Sequence, residues 1–68
     1  MDQPQPEHGE QDGVAFELRP EWLAGRFWWR IYVAGHPKVL VRNRDHAAAA
    51  ARALAADEGQ FRREADGT

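Results

Sequence analysis

Residues 26–33 read RFWWRIYV, eight consecutive positions of which six are aromatic or β-branched. Such side chains lose rotamer freedom against a helical turn and pack well on a pleated strand, so this run is a strand before anything else is decided. Successive side chains of a strand point to opposite faces, and the two adjacent tryptophans therefore cannot share one. Everything near this segment has to be arranged around two unlike surfaces.

The flanking sequence supplies the neighbours. VAFELR (14–19) alternates apolar and polar residues at period two, which predicts a strand with one buried face. Pro20 stops that ladder, and PEWLAG reads as a short turn closed by Gly25. AGHPK reads as a loop punctuated by Gly35 and Pro37, and KVLVRNR as a third strand. From Asp45 onward the pattern changes. DHAAAAARALAADE opens on a capping residue, runs through the best helix former, and meets Gly59 at the expected end, which predicts a helix over about 46–58, with its continuation through Phe61 left open.

The expected fold class is α+β: a three-stranded antiparallel meander packed on one C-terminal helix, βββα. Its domain spans 13–62. Residues 1–12 hold Pro4, Pro6, Gly9 and an excess of acids, too little apolar surface to offset ordering, and read as a disordered acidic tail; 63–68 read as a frayed end. With 68 residues and no cysteine, neither a second core nor a disulfide framework adds stability. So small a core is close to balance, which favours a homodimer.

Parity assigns the faces. Phe27, Trp29, Ile31 and Val33, with Val14, Phe16, Leu18, Val39 and Val41, form the expected core, covered by a helix stripe of Ala47, Ala50, Ala51, Leu54 and Phe61. The opposite side carries Arg26, Trp28, Arg30 and Tyr32 from the central strand. Arg19 and Glu17 join them from the first strand, and Lys38, Leu40, Arg42 and Arg44 from the third. Net charge is −2, yet residues 1–18 balance to −5 and 19–44 to +5, so a basic middle sits between acidic ends.

Catalysis is not expected. There is no Ser or Cys, and Thr68 is the only threonine, so covalent nucleophiles are missing from the folded part. His8, His36 and His46 lack the spacing of a metal site, and Asp57 and Glu58 read as a solvated helix end. No cofactor, metal or small-molecule substrate is expected. No apolar run reaches the ~20 residues of a membrane span, and MDQPQPEHGEQDG has neither the basic nor the apolar region of a signal peptide, so a soluble cytoplasmic protein is the default.

The expected binding surface is thus Arg19, Arg26, Trp28, Arg30, Tyr32, Lys38, Leu40, Arg42 and Arg44. Its leading reading is a protein–protein contact by a small regulatory protein, with a partner or with itself, in which Trp28, Tyr32 and Leu40 form a second apolar patch under stacked arginines. The alternative is duplex nucleic acid, with guanidinium groups on phosphates and rings on bases. The acidic N-terminus could cover this face in cis.

The stretch WRIYVAGHPKVLVRNRDHAAAAARAL resembles the small three-strand-plus-helix DNA-binding domains at the N-terminus of tyrosine integrases and in AP2-type plant factors. There, a W-R-x-x-V strand precedes a hairpin and an alanine-rich helix. The resemblance covers about residues 14–58 and implies a groove-facing sheet, which by position would use Trp28, Arg30, Lys38, Arg42 and Arg44. The same outline is similar to the strand-strand-helix half of double-stranded-RNA-binding domains.

Overall fold

The computed structural model describes residues 4–67. Four strands come first: β1 (Glu7–Gln11), β2 (Val14–Leu23), β3 (Arg26–Val33) and β4 (His36–Val41). They pair in chain order as an antiparallel meander, and one helix, α1 (Arg44–Asp66), packs on it. The α+β class and the sheet-on-helix arrangement are as expected. The strand number is not: there are four.

All three links are two-residue turns with both residues at positive φ: Asp12 and Gly13, Ala24 and Gly25, Ala34 and Gly35. That geometry matches the twist of the strands it joins and lets each strand run up to the turn. Two expected loops therefore shrink. The PEWLAG turn is in fact the last rungs of β2, and the AGHPK loop becomes Ala34 and Gly35 followed directly by β4. Pro20 is tolerated inside β2 because β1 reaches only as far as Leu18, so at Pro20 the strand is already an edge on that side.

Strand β1, EHGEQ, lies within the stretch read as a disordered tail. It has no apolar residue to announce it, and other contacts hold it. The ring of Phe16 lies over Gly9, so closely that a β-carbon there would stand 2.3 Å from Phe16 Cζ. Arg44, the first residue of α1, donates from Nε to Glu7 Oε2 at 2.8 Å and makes a second bond to the other carboxylate oxygen. The part of the tail expectation that concerns residues 1–3 lies outside the described residues.

Helix α1 is longer at both ends than expected. Asn43, not Asp45, is the N-cap: its side-chain oxygen accepts from the amides of Asp45 (2.8 Å) and His46 (3.1 Å), which are donors the first turn leaves unmatched. Gly59 does not end the helix. It is buried within it, where a β-carbon would lie 2.9 Å from the carbonyl oxygen of Asp12, so the helix needs a glycine to pass the first hairpin. The end expected to fray is helical through Asp66, and Gly67 caps it; Thr68 is outside the described residues.

The core joins large residues of the sheet to small ones of the helix. Val14, Phe16 and Leu18 of β2 and Trp29, Ile31 and Val33 of β3 are buried against Ala47, Ala48, Ala51 and Ala55. Alanines let the helix backbone approach the big side chains closely, and the burial supplies the apolar stabilisation. Three expected core residues lie outside this cover. Phe27 and Val39 are 36% and 44% exposed, and Phe61 is 68% exposed. Phe27 lies beyond the start of α1. Val39 sits on an edge strand at a register shift, and Phe61 points to a flank of the helix past its last contact with the sheet. Val41, Ala50 and Leu54 are only partly buried.

Candidate functional site

The register of the sheet determines what shares the face opposite α1. Glu17 opposes Tyr32, Arg19 opposes Arg30, Glu21 opposes Trp28 and Leu23 opposes Arg26, while Leu40 opposes Arg30 from the other side and His8 opposes Glu17. Trp28 and Tyr32 are half-buried on this face, and Trp29 is buried on the other. The two tryptophans have opposite surroundings, as parity demands.

Three of the arginines here, Arg19, Arg30 and Arg42, are engaged. Arg30 holds Glu21 with two hydrogen bonds, Nε to Oε1 at 2.6 Å and Nη2 to Oε2 at 3.2 Å. That bond keeps the Glu21 carboxyl below its ordinary value and raises Arg30. Arg19 pairs with Glu17, which also lies 3.3 Å from His8 Nδ1, and its guanidinium carbon sits 4.9 Å from the Tyr32 ring centroid. Arg42 covers Trp28 in the same manner at 5.2 Å, while the indole Nε1 donates to the Leu23 carbonyl at 3.3 Å. Cations stacked on rings keep both parts ordered without a large ionic gain.

Two expected members stand elsewhere. Arg44 is not on the sheet: it opens α1 and ties the helix to β1 through Glu7. Lys38 falls at the register shift between Arg30 and Tyr32, where β4 carries one extra residue, so the parity that set it beside Leu40 does not cross that point. Arg19, Arg26, Trp28, Arg30, Tyr32, Leu40 and Arg42 do come together. Sequence alone leaves Glu21 off this face, because Pro20 reads as the strand's end. Simple alternation through the proline puts Glu17, Arg19 and Glu21 in one row. His8 and Glu10 reach this face only through β1.

These additions change the electrostatics. Counting Glu10, Glu17 and Glu21 against Arg19, Arg26, Arg30 and Arg42, the outer face is close to neutral. Among the described residues, Arg26 makes no ion pair. At the β1 side the face dips over Ala15, whose small side chain leaves an open concavity of about 310 Å³. His8, Glu17, Arg19 and Tyr32 rim it.

Both sheet edges are guarded. β1 is short and carries Glu7 and Glu10, while β4 has Pro37 without an amide proton and the register shift beside it. These features oppose strand addition, leaving the faces as the surfaces for association. Among the described residues no three His, Cys, Asp or Glu side chains are placed to hold a metal ion, and no helix is long and apolar enough to cross a membrane. Comparison with family models, with curated proteins and with solved structures finds no match for this chain.

Proposed function

We propose that this chain is a small non-catalytic binding protein that docks a protein partner on the outer face of its sheet. The observation that carries this reading is that Arg19, Arg30 and Arg42 are already engaged by Glu17, Glu21 and the Tyr32 and Trp28 rings. A surface that tracks phosphates keeps its cations free, because affinity comes from releasing counterions at each one. A near-neutral surface of Tyr, Trp and Arg around a concavity is instead the composition of a protein contact, with Tyr32 and Arg19 placed to grip an apolar side chain over Ala15.

Selection of binders from a random peptide display library tests this directly. The expected peptides present one apolar anchor, perturb the NMR signals of Ala15, Glu17, Arg19 and Tyr32, and lose binding when Tyr32→Ala is introduced. Random-sequence duplex DNA is the contrary probe. Duplex binding that maps to Trp28 and Arg30 and weakens by about 10³ or more between 50 and 200 mM salt would replace this reading with a nucleic-acid one.

A further inference from the structure

The molecule is longer than its core. Its extents are 51 × 19 × 18 Å, with a radius of gyration of 13.3 Å where a compact chain of this length has about 11 Å. It exposes 4849 Å² where a compact 7.7 kDa chain exposes about 4300 Å². Two overhangs at opposite ends contribute to this length. Helix α1 starts beside Glu7, on the Leu18 rung, and passes Asp12 at Gly59. The β2–β3 hairpin therefore projects uncovered past the helix start, while residues 60–66 project past the sheet in the other direction.

Each overhang exposes aromatic side chains, although the helix end 60–66 is otherwise mostly charged. On the helix side of the hairpin, Trp22 is 62% exposed and meets Phe27 edge to face, ring centroids 4.7 Å apart. On the other overhang Phe61 is 68% exposed, two helical turns beyond Leu54 on the same flank. Lengths also match. The hairpin extends three rungs beyond Trp29, about 10 Å, and seven helical residues follow Gly59, also about 10 Å.

We propose that a second copy of this chain covers both overhangs. In a two-fold pair lying antiparallel, the last turns of one α1 occupy the place beneath the other chain's hairpin that its own helix does not reach, and the reciprocal contact forms at the far end. Phe61 seats against Trp22 and Phe27. Arg26 at the hairpin tip meets the helix end bearing Asp66, and neither has an ion pair among the described residues. One such contact is too small for a stable interface of about 1,200–2,000 Å²; two-fold symmetry makes it twice and closes the assembly at two chains. This surface shares only Arg26 with the outer sheet face.

Trp22→Lys and Phe61→Glu test it by complementation in sedimentation equilibrium, with far-UV circular dichroism showing that the fold of each is intact. Wild type is expected at twice 7.7 kDa. Each variant alone is expected to weaken association about tenfold or more, and an equal mixture to recover a dimer through one intact contact and one Lys–Glu contact. A wild-type chain that stays monomeric, a mass that keeps growing with concentration, or a dimer that survives both substitutions overturns the proposal. So does a dimer lost only with Tyr32→Ala, which would put self-association on the outer face instead.

Discussion

Trp29 and Trp22 stand on the same side of one sheet, two rungs apart. Trp29 is 9% exposed and Trp22 62%. Residue type and strand parity are equal for the two, so neither explains the difference. What separates them is where the cover begins. Only Arg42 and Asn43 lie between β4 and α1, and β4 ends at Val41, directly opposite Trp29. Capped by Asn43, the helix starts just past that rung, with Arg44 tied to Glu7 beside Leu18, and runs away from the hairpin tip. A side chain is buried here only if the helix reaches it.

Trp29→Ala should break the covered half with the largest effect, costing about 3–5 kcal/mol in urea denaturation, enough to unfold much of so small a domain. Trp22→Ala, measured at concentrations where the chain is monomeric, should change stability by under about 0.5 kcal/mol. Equal losses would show that the hairpin aromatics belong to the core after all.

Gly59→Ala sharpens the comparison at the helix. In an ordinary helix interior this change gains about 1 kcal/mol. Here the new methyl would stand 2.9 Å from a backbone oxygen of Asp12, so a loss of about 1–3 kcal/mol is expected. A stabilised variant would mean the helix and the first hairpin do not touch.

The smallest effect concerns the clip that holds β1. The hydrogen bond from Arg44 lowers the Glu7 carboxyl below its ordinary 4.5, with partial burial opposing it. Because the folded value is depressed, the pair's contribution is fully present above about 4.5 and is lost as pH falls through the lowered value. The urea midpoint of wild type should therefore drop more between pH 7 and pH 3 than that of Glu7→Gln. Equal drops would remove this pair from the stability of β1.

Much of the sheet was legible because its signals are local. RFWWRIYV marks β3 to the residue, and the alternation of VAFELR marks the first half of β2 with the buried face correctly assigned. Pro20 misled because a proline ends a ladder only where its missing amide faces a strand, and the end of β1 is a tertiary fact. Strand β1 itself is held by Phe16 across Gly9 and by Arg44, contacts made at a distance, so EHGEQ carries no pattern of its own. The turns at Gly25 and Gly35 are legible but read as longer loops, and the one at Gly13 falls at the end of the stretch read as tail. Asp12-Gly13, Ala24-Gly25 and Ala34-Gly35 each end on the glycine that such a two-residue turn favours.

For the outer sheet face, the membership of Arg19, Trp28, Arg30, Tyr32 and Leu40 follows from parity, whereas its charge balance does not. That required knowing that Glu21 stays in the strand and that β1 brings His8 and Glu10 alongside.

Those tight turns also shape how the chain reaches its native state. Each hairpin closes over two residues, so loop closure costs little entropy and the ribbon can zip from any of three starting points. The slow event is the homecoming of the helix, whose Arg44 must find Glu7, 37 positions away along the chain. Refolding speed is therefore expected to follow changes at the alanine seam far more than changes at the hairpin tips.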